Sequence, residues 1–362
     1  MPSRPAAEGL PRDAAQLRLG PATRVLWRDS RAVQFELGDR SVVVTGLAHS
    51  ALAAVTDRRS HVARVPLDVD SALALADLGS AGYLWPRLPA PDDPAQRPCD
   101  APPLPRLGGE LAALAGRHGD RAATVLAGRA ARTVELHGNA AITAHLAAVL
   151  AAAGVGRVRC VGSGSALLRH AVPGGVSPTD EGDDLATAMA AAVSRAAPED
   201  GPAGDPDAAA DLLVLAGAGP VSDDRRGALH AGRVAHLVVD VTADRGVVGP
   251  LVLPGLTSCL RCADLHRRDR DPAWPVLAVQ LAVGAARAPA TGAALGTTVA
   301  GVAAAQILGY LDGEDCAVVE GSLEICPPDW RVRRRSRIAH PECDCLAGTP
   351  TPGSSTVGLI AT

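Results

Sequence analysis

The chain has 362 residues, 47 % of them hydrophobic, 20 % charged and only 2 % aromatic, with a formal net charge of −4 at pH 7. That length predicts two or three domains, and the weak negative charge supplies no global attraction to nucleic acid or to an anionic membrane. Every basic side chain other than His is Arg; the absence of lysine excludes a lysine Schiff base and a lysine clamp on a nucleotide phosphate.

No apolar run reaches the ~20 residues of a membrane span. The opening MPSRPAAEGLPRD lacks the apolar core of a signal peptide. A soluble cytoplasmic protein is therefore expected, with its eight cysteines reduced.

Residues 1–85 read as a small α+β module. RAVQFELGDRSVVVT alternates Val33, Phe35 and Leu37, then Val42 and Val44, across a Gly38-Asp39 turn, which is hairpin patterning. HSALAAVTD and DVDSALALADLGSAGYLW carry short helical patterns, and the set suits a winged-helix-like domain. Residues 86–108 are Pro-rich, hold Cys99 and predict a linker. From 109 to 345, strand and helix patterns alternate and predict a parallel α/β sheet. RTVELHG, RVRCVG, DLLVLAGAG and AHLVVDVTA are strands; NAAITAHLAAVLAAAG is a helix turning Ile142, Leu146, Val149 and Leu150 inward. Loops at 172–184 and 198–210 interrupt the domain, GTTVAGVAAAQILGYL is an Ala-rich packing helix, and 346–362 is a Gly/Ser/Thr/Pro-rich flexible tail.

The stretch SCLRCADLHRRDRDPAWP, residues 258–275, places Cys259 and Cys262 three apart, and HPECDC adds Cys343 and Cys345. A structural zinc takes four ligands in a tetrahedron, and two close pairs supply them. In an extended strand Cys343 and Cys345 would face opposite sides, so sharing a metal requires a turn, which Pro341 favours. All-cysteine closure leaves no position for water, so the metal is expected to be structural. His266 and His340 are reserve ligands. A redox role is disfavoured because Cys259-Leu260-Arg261-Cys262 is not expected to open a helix after a thioredoxin-like strand.

VELHGNAAITAHLAAVLAAAGVGRVRCVGSG has the strand–turn–helix–strand layout of a nucleotide site. A phosphate loop needs glycines so that backbone N–H groups approach the phosphates at the helix N-terminus. Here Gly138 and Asn139 stand as a degenerate loop, with Ala140, Ala141 and Thr143 where further glycines belong. The second strand ends in Val161-Gly162-Ser163 with no carboxylate for a ribose. Gly162 and Gly164 offer at most a different anion-binding turn. The expectation is a nucleotide-type fold that has lost its nucleotide, with ATP absent.

HGNAAITAHLAAVLAAAGVGRV, DLLVLAGA, GVVGPLVLPGLTSCLRC and GTTVAGVAAAQILGYL together resemble the ThiF-like adenylyltransferases of the ubiquitin-activating superfamily, over about 130–345. More narrowly, GPLVLPGLTSCLRCADLHRRDRDPAWPVLAVQL with the closing HPECDC resembles the cyclodehydratase partner proteins of azole-forming (TOMM) peptide pathways, which are common in actinobacteria. The resemblance implies a Rossmann-type ThiF-like domain with a zinc knot at Cys259, Cys262, Cys343 and Cys345. Catalytic relatives hold ATP with a Gly-rich loop, an acid after the second strand, an Asn-Arg-Gln arginine, a lysine and a Thr-Asp-Asn aspartate. This chain has Gly162 at the acid's place, no Asn-Arg-Gln, no lysine, and Ala216-Gly217-Ala218 after Leu213-Val214-Leu215. It therefore resembles the non-adenylating branch. That branch implies a leader-peptide-binding N-terminal module working by strand addition, within 41–45 or 62–67 here. It also implies a separate YcaO-type cyclodehydratase as partner, and a homodimer.

Three other features bear on function. HRRDRDP, 266–272, reads as a solvated helix end with local ion pairs or as a docking surface. RVRRRSR, 331–337, alternates Arg333, Arg335 and Arg337 as a strand does, a solvated face or a contact for an acidic leader or partner. Asp240 and Asp244 lack a third acidic ligand and read as loop residues. Two rival functions remain: a ThiF-type adenylyltransferase activating a carboxylate with ATP, and a winged-helix DNA-binding regulator. The latter would use Arg24, Arg28, Arg31, Arg40, Arg58, Arg59 and Arg64, although 70–84 carries only acids.

Overall fold

The structure, a computed structural model, describes residues 11–20, 22–57, 64–86, 105–138, 140–198, 209–217, 220–284 and 292–346. Cys99, Asn139, Arg58, Arg59 and the tail from 347 lie outside the described residues. The chain divides into two compact units, Met1–Arg129 and Ala130–Thr362.

In the first unit, β1 (Leu17–Leu19) pairs antiparallel with β5 (Leu84–Pro86). β2 (Arg24–Trp27), β3 (Ala32–Leu37) and β4 (Arg40–Thr45) form a three-stranded antiparallel sheet in that order. The expected hairpin is β3–β4: Val44 and Val42 sit opposite Val33 and Phe35, and Val33, Phe35 and Leu37 are all buried. Against this face pack α1 (His49–Thr56) and α2 (Val69–Ser80). Asp68 caps α2 by accepting from the Ser71 N–H at 2.7 Å, and that bond holds its carboxyl below the usual range. Helices α3 (Gly108–His118) and α4 (Ala122–Ala130) gather Leu111, Leu114, Ala122 and Leu126 around Trp85. Arg129, buried on α4, meets Glu110 on α3 at 2.8 Å.

The second unit is built on a seven-stranded sheet. Its strands are β6 (Thr133–Gly138), β7 (Arg157–Val161), β8 (Leu212–Ala216), β9 (His236–Val241), β10 (Gly246–Val252), β11 (Gly321–Cys326) and β12 (Arg331–Ser336). Their order is β12-β11-β10-β9-β8-β6-β7. The four strands from β7 to β9 pair in parallel, as the alternating pattern predicts. β10, β11 and β12 correct that expectation, because all three join antiparallel. The reason is local: the β9–β10 connection closes within Thr242–Arg245, where the Thr242 N–H donates to the Arg245 carbonyl at 2.8 Å. A turn that short permits a hairpin and excludes a parallel crossover.

Helices α5 (Ala140–Ala152), α6 (Leu185–Ala196), α7 (Asp223–Ala231), α8 (Leu260–Arg270), α9 (Trp274–Gly284) and α10 (Ala293–Leu311) complete the unit. On one face of the sheet, Leu136, Val214, Val239, Val248 and Ile325 meet Ile142, Leu146 and Leu150 of α5 and Leu295, Val299, Ala303 and Ile307 of α10. Among the described residues, α10 is the one helix long and apolar enough to cross a membrane by length and composition; its buried face is part of this core. Strand alternation sends Val238, Asp240, Val247 and Glu324 to the other face, where α8 and α9 wall a cavity of about 780 Å³.

Phe35 is fully buried at the centre of the first unit's core. Phe35→Ala is expected to cost that unit about 3–5 kcal/mol, measured by urea unfolding followed in that unit's tryptophan fluorescence.

Candidate functional site

The two cysteine pairs are delivered by different devices. After β10 the chain turns, with the Thr257 N–H donating to the Leu253 carbonyl at 3.0 Å, and Cys259 becomes the N-cap of α8. Cys262 follows within the first helical turn, so both sulfurs leave the same helix end. Beyond β12 the chain makes the turn that the Cys343–Cys345 spacing demands: the Cys343 N–H donates to the His340 carbonyl at 2.9 Å.

The four sulfurs converge, all within 4.8 Å of one another. Cys259 lies 3.9 Å from Cys262 and 3.6 Å from Cys343, and Cys262 lies 3.5 Å from Cys345. A tetrahedron with Zn–S bonds of ~2.3 Å has edges of about 3.8 Å. The sulfur spacing therefore fits a closed zinc site, and it is far too long for disulfides, whose sulfurs approach to about 2.0 Å. Cys262 and Cys345 are buried and the other two half-buried.

Cys259-Leu260-Arg261-Cys262 does open a helix. What distinguishes it from a two-cysteine redox motif is the second pair, packed as close to it as its own members are to each other. Burial pushes the Cys343 thiol up to about 11 and raises Cys345 as well. Cys262 is buried too, yet backbone hydrogen bonds at His340 and Cys259 leave its pKa below the usual thiol value. Four neighbouring sulfurs cannot all ionise without a cation between them; a divalent metal held there would supply that charge and displace the protons.

Neither reserve histidine joins the sulfur cluster. His340 is buried, with Nε2 at 2.7 Å from Asp269 and Nδ1 accepting from the Glu342 N–H at 3.1 Å. His266 Nε2 lies 3.1 Å from the Ile338 carbonyl, and the two imidazoles meet edge to face at 4.7 Å. The charged run is tied down as well. Arg268 bridges Asp269 and Glu342 at 2.8 and 2.9 Å, Arg261 reaches Asp344 at 3.1 Å, and Arg267 pairs with Asp264 while lying over Trp274. This charged stretch fastens α8 to the second cysteine loop.

At the carboxyl ends of the parallel strands the glycines serve packing. Gly138 has φ +117°, and a Cβ there would lie 1.9 Å from the Ala216 carbonyl oxygen on β8. A Cβ on Gly162 would meet Met189 of α6 at 2.6 Å. The Gly164 carbonyl accepts from the Leu185 N–H at 2.9 Å, which seats the turn on α6. Asp244 accepts from the Thr242 hydroxyl at 3.0 Å inside the β9–β10 turn, while Asp240 faces the cavity.

A polar group that sequence reasoning missed lies beside Gly138. Glu135 contacts His137 at 2.6 Å and Arg159 at 2.9 Å, and Arg225 of α7 donates to His137 Nδ1 at 3.1 Å. Glu135 and His137 share one face of β6, and Arg159 stands opposite Glu135 in register. The alternation was visible in the sequence; the register was not.

No family model and no curated protein matches the chain. Solved structures do. E. coli MccB, solved with succinimide, superposes with a TM-score of 0.63 at 15 % identity, covering 93 % of this chain and 99 % of MccB. This chain has the MccB fold. The microcin C7 biosynthetic enzyme MccB in complex with N-formylated MccA gives a TM-score of 0.62 at 14 % identity, over 91 % of this chain and 99 % of that one. PaaA gives 0.55 at 15 % identity, over 73 % and 91 %.

Two outcomes test the site. Purified protein is expected to hold about one zinc per chain by elemental analysis. Cys259→Ser and Cys345→Ser should each lose it and destabilise the second unit by on the order of 5 kcal/mol; zinc retained in both variants would refute the four-cysteine assignment. Gly138→Ala should destabilise the same unit by about 3 kcal/mol in denaturant titration, with zinc content unchanged.

Proposed function

We propose that this protein is a zinc-stabilised, ThiF-like scaffold that binds the leader segment of a ribosomal precursor peptide. It presents that peptide to a YcaO-type cyclodehydratase for azoline and azole formation, and does not adenylate on its own. The observation that carries the reading is a whole-chain likeness to MccB, a biosynthetic enzyme solved with MccA, combined with a loop after β6 short of the glycines a phosphate site uses. Met189 occupies the space beside Gly162, and the Ala216 carbonyl that beside Gly138. No lysine exists to meet a phosphate. A homodimer and a place in the cytoplasm belong to the same proposal.

The first unit supports strand addition at one of the two segments named from the sequence. Residues 64–67 already spend their backbone on the chain's start: the Ala14 N–H donates to the Val65 carbonyl at 2.9 Å and the Leu67 N–H to the Arg12 carbonyl at 3.3 Å. β4 is an edge, paired only with β3 among the described residues. Its outward Val43 is 41 % exposed, and it shares with Leu26 a row across Gln34. An extended leader added there gains main-chain hydrogen bonds and an apolar contact at alternate residues. The winged-helix-like reading of this unit belongs to the same proposal. Its α2 carries Asp70 and Asp77 and no basic residue, which is no surface for duplex DNA.

The rival reading, carboxylate adenylation, rests on MccB having been solved with ATP. Two measurements separate the readings. Isothermal titration of the full chain with candidate precursor leader peptides is expected to show binding, weakened about tenfold by Val43→Asp with unchanged melting. Pyrophosphate exchange dependent on those peptides is expected to be absent. Binding unaltered by Val43→Asp would remove β4 from the proposal, and robust exchange would establish the adenylating alternative.

A further inference from the structure

The antiparallel half of the second unit's sheet has one face on the core and one face with no explanation in peptide-leader binding or in the sulfur site. Register places Arg331, Arg333 and Arg335 opposite Cys326, Glu324 and Ser322. Those arginines therefore share the face of Glu324, which lines the 780 Å³ cavity. Arg337, two residues further on, lines the cavity itself together with Arg245, Arg267 and Arg270.

Four acids, Asp240, Asp264, Asp271 and Glu324, stand against those four arginines, but their pairing is uneven. Asp264 is taken by Arg226, Arg267 and the Trp274 indole N–H. Glu324 is taken by Arg335 at 3.1 Å, and Asp271 accepts from the Ala273 N–H at 3.0 Å. Asp240 has no hydrogen-bond or ion-pair partner for its carboxylate among the described residues, and Asp271 has no side-chain partner. Arg337 is half-buried, donates from Nε to the Ser322 hydroxyl at 3.3 Å, and has no carboxylate at ion-pair distance among the described residues. Burial, then the nearby Arg267, push its pKa down; it remains cationic, since a guanidinium does not deprotonate in this range. Arg245 likewise has no ion pair among the described residues.

Outside the cavity, β12 is the edge of the sheet and exposed along its whole length. Arg331 and Arg333 share Asp329 at 3.7 and 3.0 Å. Such exposed pairs contribute about 0–1 kcal/mol, so these arginines exchange partners readily.

We propose that the cavity and the arginine face of β12 form one binding track for an extended, carboxylate-rich segment of a partner polypeptide. Its backbone adds to the β12 edge, its alternate acidic side chains meet Arg331, Arg333 and Arg335, and a terminal or side-chain carboxylate enters the cavity at Arg337. Alternate residues of a strand are ~6.7 Å apart on each chain, so an acid at every second position matches the arginine spacing. A second copy of this chain is the poorer occupant, because pairing β12 with β12 sets arginine rows against each other. This track lies in the second unit and is independent of the leader reading at β4.

The test uses the full chain and a fluorescent peptide of alternating Glu and Val, with alternating Gln and Val as control. The Glu peptide is expected to bind, more weakly as salt rises, and the Gln peptide not to bind. The exposed double variant Arg333→Gln/Arg335→Gln and the single variant Arg337→Gln should each lower affinity about tenfold, with zinc content and melting of the double variant unchanged. Val43→Asp should leave this binding intact, which separates failure here from failure at β4. Equal binding of the two peptides, or no effect of the exposed double variant, overturns the track. Displacement of the peptide by inorganic phosphate or duplex DNA at comparable concentration overturns the carboxylate assignment.

Discussion

The convergence of four sulfurs at the start of α8 is the constraint on which the second unit's functional face depends. Residues 337–346 have no helix or strand of their own, yet Cys343 and Cys345 are brought to within 3.6 and 3.5 Å of the sulfurs of Cys259 and Cys262. The closure is reinforced from outside: His340 on Asp269, Arg268 on Glu342, and the Ser258 hydroxyl donating to the Arg337 carbonyl at 2.6 Å. That last bond matters for the cavity, because it fixes the backbone of the residue whose guanidinium lines it. α8, in turn, carries Arg267 and Arg270 and leads into Trp274. Loosening the knot would free one wall of the cavity and the end of β12 together.

The sheet divides its labour at β9. On the parallel side, where many α/β folds hold a nucleotide at the strand ends, two glycines are tightly packed, Gly162 against α6 and Gly138 against β8. On the antiparallel side, one face is buried under α10 and the other faces an open, charged cavity.

The sequence made some of this legible because the signals are local. Val33, Phe35 and Leu37 alternate within one strand, and their burial follows from period two alone. The cysteine spacings announced a shared centre, and the need for a turn before Cys343 followed from strand geometry. The antiparallel edge was hidden because β10 and β11 lie about 70 residues apart in the chain, and only the four-residue β9–β10 turn reveals the reversal. The cap position of Cys259 was hidden for a related reason: Thr257-Ser258 offers the usual capping side chains one step early, and Ser258 is instead committed to Arg337. The Glu135–His137–Arg159 group and the arginine cavity depend on register between strands, which no single-segment pattern contains.

The absence of lysine has a physical consequence at this surface, whatever its genomic origin. A lysine ammonium half-buried among like charges readily loses its proton, and a cavity walled with lysines would tend toward neutrality. A guanidinium keeps its charge under the same burial and crowding, and its planar fork suits a carboxylate. Arg337 is therefore held cationic by chemistry that burial cannot switch off. The same property governs β12: fixed positive charge along an exposed edge opposes pairing with an identical edge and favours a strand of opposite charge. Protection against self-association and selection of an acidic partner are one electrostatic effect seen from two sides, and both should weaken together as salt screens it.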